Sequence, residues 1–163
     1  MNSYWPKGLD LCDVQSPDEI LKNARDEWDK NSDGVLTLVF QNSISQDKNA
    51  MIIVHAKHIP SNRTATLFTV IHRPIAPYPA TILIISEALP YCLKREYYRP
   101  GMQDSFMPLD LEGETVTNPW VSETPAEFRT KLSEAFNQSI VKTIIFGLAT
   151  GEAPASENDN QQS

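Results

Sequence analysis

Four short runs rich in Val, Ile, Thr and Phe follow one another closely, and their spacing constrains the fold more than any other feature of the chain. Each run is bounded by turn-forming residues, and together they cover Val35–Gln41, Met51–His58, Thr64–His72 and Thr81–Ile85. The loops between the runs hold only 5 to 9 residues. Loops this short cannot contain the helical crossover that joins parallel neighbours. The sequence therefore predicts an antiparallel meander of four strands.

A capped helix is predicted before these strands. Ser16 and Glu19 have the spacing of a capping box, and Pro17 stands at the first helical position. Apolar residues then recur at helical spacing, at Ile20, Leu21, Ala24 and Trp28. The turn-forming run Asn31–Gly34 should end the helix after about four turns.

A second capping box, Thr124–Glu127, predicts one long C-terminal helix. Its apolar face follows the helical period through Phe128, Leu132, Ala135, Phe136, Ser139, Ile140, Thr143 and Ile144. The run Ile144–Leu148 is apolar all round, which is typical of a buried or partner-covered turn. Gly151 is a natural residue to end the helix.

The order helix, strands, helix predicts an α+β fold, with the long helix packed on one sheet face. Residues 1–151 should form a single domain, and residues 152–163, which are rich in Asn, Gln and Ser, should form a disordered tail. Residues 86–122 contain several prolines and no clear period. Within them Tyr91–Tyr98 either adds a fifth strand to the meander or belongs to a loop.

The composition points away from nucleic acids and membranes as partners. A net charge of −7 would on average repel phosphate groups, although bases outnumber acids in residues 35–85, which also hold all three histidines. The most apolar window, Thr143–Ala149, is too short to span a bilayer. Cys12 and Cys92 have neither metal-site nor disulfide-framework spacing, and the N-terminal residues do not resemble a secretory signal. We therefore expect a soluble, cytoplasmic protein.

Few residues suggest chemistry. His72 and Cys92 are the best base-and-nucleophile candidates, because neighbouring antiparallel strands could bring them together; the alternative is that Cys92 fills the core. His55 and His58 have the spacing of a metal pair, but a strand sends residues three apart to opposite faces, so no metal site is predicted. No glycine pattern predicts a phosphate loop, and no cofactor is expected.

Two segments are candidates for contacting a partner. The stiff, proline-rich loop after the third strand carries Arg73 and Tyr78, and its alternative role is a structural bend. The irregular region mixes aromatic and basic residues, which often anchor interfaces, and its alternative role is to fold over the open sheet face. The candidates there are Tyr91, Arg95, Tyr97, Tyr98 and Trp120.

Taken together, these features predict a small acidic protein-binding module without catalysis of its own, of the inhibitor, immunity-factor or specialised-chaperone type. A basic protein fits its charge best. The alternative is a small-ligand-binding protein or enzyme, with a pocket between the sheet and the C-terminal helix that uses His72 and Cys92. A homodimer formed through the second sheet face or the apolar helix end is compatible with either hypothesis.

Overall fold

A computed structural model describes residues 3–6, 11–84, 93–99 and 114–151 of the chain. The predicted α+β class is confirmed. The predicted tail, residues 152–163, lies outside the described residues. In chain order the elements are α1 (Pro17–Asn31), β1 (Leu36–Ile44), β2 (Ala50–His58), β3 (Arg63–His72), β4 (Ala80–Ile84), β5 (Glu96–Arg99), β6 (Glu114–Thr117), α2 (Pro125–Phe136) and α3 (Ser139–Ala149).

The start of α1 shows the predicted capping box. The Ser16 hydroxyl accepts the Glu19 N–H at 3.3 Å, and a Glu19 carboxylate oxygen accepts the Ser16 N–H at 3.0 Å. These bonds satisfy amide groups that have no partner within the helix. After the helix, Asp33 and Gly34 take positive φ angles of 54° and 79°, which turn the chain into β1.

The predicted meander is confirmed, with strand order β1-β2-β3-β4 and every neighbouring pair antiparallel. The register shifts between Val54 and His55: Val54 lies opposite Phe68, whereas His55 lies opposite Thr66. Leu67 is therefore an extra residue in β3, as in a β-bulge. Both Leu67 and Phe68 are fully buried.

The core lies between the helices and one face of the sheet. α1 packs on β1, α3 on β2 and β3, and α2 on β4. The Phe136 ring connects these layers, because its centroid lies 5.5 Å from that of Trp28 and 5.2 Å from that of Phe68. The largest fully buried side chains are Phe68, Phe128, Leu21, Leu38, Leu67 and Ile71.

The prediction of one long C-terminal helix is wrong, because Asn137 and Gln138 divide it into α2 and α3. The Asn137 side-chain amide donates to the Ser133 carbonyl at 2.8 Å, and the Asn137 N–H still donates to the same carbonyl. The Gln138 N–H donates to the Ala135 carbonyl at 3.2 Å instead of to that of Glu134, its partner in a continuous helix. Gln138 is extended, with ψ at 141°. The break changes which face of α3 is buried, so that Val141 is buried while Ile140, placed on the predicted apolar face, is 41% exposed.

The possible fifth strand does not join the meander. β5 overlaps the end of Tyr91–Tyr98, but it pairs with β6, for which no strand was predicted, in a separate two-stranded sheet. The side of β4 that faces away from β3 is occupied at Ala80, which exchanges two backbone hydrogen bonds with Ser122, of 2.9 and 2.7 Å. Among the described helices, none combines the length and apolar composition that crossing a bilayer requires.

Candidate functional site

A shallow groove opens between the end of α1, the start of β1 and the second half of α3. Its volume is about 250 Å³. Its base is apolar, and a carboxylate, an amide and a hydroxyl group lie among its lining residues. These residues are Glu27, Trp28, Asn31, Ser32, Leu36 and Ile145.

Ser32 fixes the turn that brings Trp28 next to Leu36. Its hydroxyl oxygen lies 2.8 Å from the Trp28 carbonyl and 2.9 Å from the Leu36 carbonyl, and it accepts the Leu36 N–H at 2.9 Å. Trp28 is half-buried and its ring packs on Phe136. The base of the groove is therefore held by the packed core beneath it.

Three exposed apolar residues are linked to the lining of the groove by the chain or by a backbone hydrogen bond, and we call Val35, Ile59 and Phe146 the apolar rim. Val35 is 39% exposed and directly precedes Leu36, and Ile59, 44% exposed, donates its N–H to the Val35 carbonyl at 2.9 Å. Phe146 is 71% exposed and directly follows Ile145. An exposed aromatic ring on a helix that forms part of a groove is typical of a surface that a partner covers.

The structure places His72, one of the two predicted catalytic candidates, away from the groove. His72 closes β3, at the opposite end of that strand from α3's C-terminus, where Arg63 donates to the Gly151 carbonyl at 2.7 Å. The His72 ring nitrogen Nδ1 lies 2.7 Å from the Arg73 carbonyl. Cys92 lies outside the described residues, so the pairing of these two side chains stays a prediction.

Tyr78 makes contacts within the fold. Its hydroxyl donates to the Gln15 carbonyl at 2.8 Å, and its ring centroid lies 6.3 Å from that of Phe128. Burial raises the pKa of the Tyr78 hydroxyl well above its ordinary value. Arg73, in the same loop, is exposed to solvent. Of these two predicted contact residues, Arg73 is thus the more accessible to a partner.

Two of the predicted contact residues of the irregular region, Arg95 and Trp120, also have contacts within the fold. Trp120 is only 8% exposed and belongs to the core. Arg95 donates to a Glu127 carboxylate oxygen at 2.9 Å. The Glu123 backbone N–H and then Arg95 lower the pKa of Glu127. Tyr97 and Tyr98 lie in β5 opposite β6, and Tyr91 lies outside the described residues.

His55 lies on the sheet face away from the helices, in a polar network that crosses three strands. Its Nε2 lies 3.1 Å from the Gln41 carbonyl oxygen, and its Nδ1 lies 2.9 Å from the Thr66 hydroxyl. Because the Gln41 oxygen can only accept, Nε2 donates and Nδ1 is free to accept from Thr66. Burial lowers the pKa of His55, which also favours the neutral ring.

His58 makes a separate contact, with its Nδ1 lying 2.8 Å from the Ser61 hydroxyl. Being three residues from His55 along β2, it lies toward the other sheet face. Within the described ranges, no group of three or more His, Cys, Asp or Glu residues could hold a metal ion. The two histidines thus have separate hydrogen-bonding partners.

Comparison with protein-family models, with curated proteins and with solved structures gives no significant match. The groove and its apolar rim are accordingly interpreted from their own geometry. Sequence reasoning missed the groove, because its residues come from three separate elements. One signal did point to it, namely the all-apolar run Ile144–Leu148, which contains both Ile145 and the exposed Phe146.

Proposed function

We propose that the chain is a cytoplasmic protein-binding module that docks a partner on the groove and its apolar rim, without catalysis of its own. The observation that carries this proposal is the exposure of Phe146, 71% of whose surface is accessible. An inhibitor, an immunity factor or a specialised chaperone would act in this way. Buried aromatic anchors contribute most of the binding free energy in such interfaces.

The size of the groove favours a protein over a small ligand. Sites that enclose small ligands commonly measure about 300–1,000 Å³, whereas this groove measures about 250 Å³. A partner protein needs no enclosed cavity, since it can cover the rim residues Val35, Ile59 and Phe146 together. Covering them would remove from water the apolar surface that the fold leaves exposed.

The charge of the chain favours a basic partner. The net charge is −7, and Glu27 contributes a carboxylate to the lining of the groove. An apolar side chain of the partner would lie over Trp28, while a neighbouring Lys or Arg would pair with Glu27. Opposite charges would also accelerate the encounter, and the acceleration would weaken as salt is added.

Substitution on α3 tests the proposal with a matched control. Phe146→Lys introduces a charge into the rim, whereas Ile140→Lys introduces the same charge at an exposed position one and a half turns earlier. Each tagged chain is expressed in cells of its source organism and purified from them, and the intact masses of the co-purifying proteins are measured. We expect a stoichiometric protein partner to be retained by the wild type and by Ile140→Lys and to be lost from Phe146→Lys.

Two outcomes would count against this function. A partner held equally by Phe146→Lys would show that the rim does not bind it. Co-purification of small molecules alone would favour the ligand-binding alternative, in which His72→Ala and Cys92→Ala should each abolish ligand binding or turnover.

A further inference from the structure

The hydrogen bonds at the two ends of β1 reveal which of its backbone groups face away from the sheet. Ile59 donates to the Val35 carbonyl at 2.9 Å, and Ser45 donates to the Asn49 carbonyl at 2.9 Å. Both pairs continue the β1-β2 register, and in both the β1-side residue is odd-numbered. In an antiparallel ladder, bonded and non-bonded residues alternate. The even-numbered residues of β1 therefore direct their N–H and C=O groups outward.

Within the described ranges, four of these residues have outward backbone groups without a partner. Ser32 occupies both outward groups of Leu36, with its hydroxyl oxygen 2.9 Å from the Leu36 nitrogen and carbonyl oxygen. In the part of the chain that the structure describes, nothing pairs with the outward groups that follow. They belong to Leu38, Phe40, Asn42 and Ile44.

β1 also has none of the features that usually prevent pairing at a sheet edge. Its nine residues, Leu36–Ile44, include no charged residue and no proline, both of which commonly protect exposed edges. The opposite edge differs, because β4 has five residues and is bridged at Ala80 by Ser122. The sheet is thus open at one edge over its longer strand.

We propose that the β1 edge binds an extended segment of another protein, which adds a strand to the sheet by pairing with Leu38, Phe40, Asn42 and Ile44. This inference rests on the proposed protein-binding function and adds a second contact, of a different kind, to the groove. Backbone hydrogen bonds supply the affinity in this mode of recognition, and alternate side chains supply the specificity.

The position of α1 favours a partner's extended segment over a second copy of this chain. α1 packs on β1, and the Arg25 guanidinium lies 5.8 Å from the centre of the Phe40 ring. Two copies paired through β1 would have these strands about 4.8 Å apart, whereas packed helices need about 8–10 Å between their axes. An α1 that lies over β1 in each copy would bring the two helices closer together than that. A segment without a helix of its own meets no such obstacle.

The surroundings of β1 define the side chains that the segment should carry. On the helix side, alternate residues would lie beside Phe40 and Arg25. On the other side, they would lie beside the exposed Val39 and the Gln41 amide that contacts His55. Since β1 itself is uncharged, we expect the segment to be rich in β-branched and aromatic residues and poor in charged ones.

A pair of substitutions at Asn42 tests the proposal. Asn42→Pro removes one outward N–H that the fold does not use, and Asn42→Ala shortens the same side chain but keeps that N–H. A displayed library of random peptides is selected on the wild-type chain, and the selected peptides are assayed on both variants. We expect their affinity to fall at least about tenfold on Asn42→Pro and to change little on Asn42→Ala.

Amide hydrogen exchange of the wild-type chain with a selected peptide gives a readout that does not depend on the folding of either variant. We expect the peptide to slow exchange at Phe40 and Asn42, while Val39 and Gln41, which already bond to β2, change little. Peptides that bind Asn42→Pro as well as the wild type, or that leave Phe40 and Asn42 unprotected, would overturn the proposal. A dimer of the free chain that Asn42→Pro dissociates would overturn the choice of occupant.

Failure of this proposal can be told apart from failure of the proposed function. If the edge does not bind segments but the groove binds a protein, a partner that Phe146→Lys loses will remain bound to Asn42→Pro. If the groove has no partner, Phe146→Lys will co-purify with the same proteins as the wild type. The selected peptides will still discriminate between Asn42→Pro and Asn42→Ala.

Discussion

Substitution of Phe136 tests whether the aromatic contacts beneath the groove hold α1, α2 and the sheet together. The Phe136 ring is half-buried and contacts both Trp28 and Phe68. Phe→Ala at a fully buried position costs about 3–5 kcal/mol, so we expect about 2–3 kcal/mol for Phe136→Ala, given its partial burial. Phe136→Leu keeps much of the apolar volume but loses two ring contacts of about 0.5–1.5 kcal/mol each, so it should cost about 1–3 kcal/mol without exceeding the cost of Phe136→Ala.

The assay is urea unfolding followed by circular dichroism, with the midpoint falling and the slope unchanged in both variants. Phe146→Ala is the control, because it removes an exposed ring from α3 and should change the free energy of unfolding by less than about 0.5 kcal/mol. A cost below about 1 kcal/mol for Phe136→Ala, or equal stability of Phe136→Leu and the wild type, would show that the Phe136 ring does not hold these layers together.

Three further substitutions have defined outcomes in the same unfolding assay. Burial lowers the pKa of His55 in the folded chain. The free energy of unfolding should therefore decrease as the pH falls below the unfolded-state pKa of about 6.5, and it should decrease less steeply in His55→Gln. Parallel pH profiles of the two chains would contradict this. The Ser122 hydroxyl is buried without a hydrogen-bond partner among the described residues, so Ser122→Ala should be neutral or stabilising by up to about 1 kcal/mol, and a clear loss of stability would show that this account is wrong. Tyr78→Phe removes the hydrogen bond to Gln15 and should lower the free energy of unfolding by about 1 kcal/mol. An unchanged midpoint would show that this bond is absent in solution.

The elements that the sequence predicted well are those encoded by neighbouring residues. The Ser16–Glu19 capping box needs only a spacing of three, and the meander needs only short loops between runs of strand-forming residues. β1 was predicted to end at Gln41 but continues to Ile44. All three additional residues are exposed, and two of them, Asn42 and Ser43, are polar. They therefore gave no signal of burial.

The features that were missed depend on competing or distant contacts. The helical period continues formally across Asn137, but the Gln138 N–H donates to the Ala135 carbonyl in place of that of Glu134, and Gln138 itself is extended. The groove requires Trp28 and Ile145 to meet, and these residues are far apart in the chain. Such a meeting follows from the packing of α1 and α3 on one sheet, which a periodic pattern does not determine.

The difference between the two edges of the sheet limits the stoichiometry of any assembly formed by strand addition. A sheet open at both margins can be extended indefinitely, and growth of that kind leads toward fibres. Here Ser122 already holds Ala80, and the Asn118 side chain donates to the Thr81 hydroxyl at 3.1 Å. An incoming chain would have to displace these contacts at the β4 margin, whereas at the β1 margin the outward groups from Leu38 to Ile44 have no partner among the described residues. Strand addition should therefore take place at the β1 margin alone, so that each chain offers one such site to an assembly.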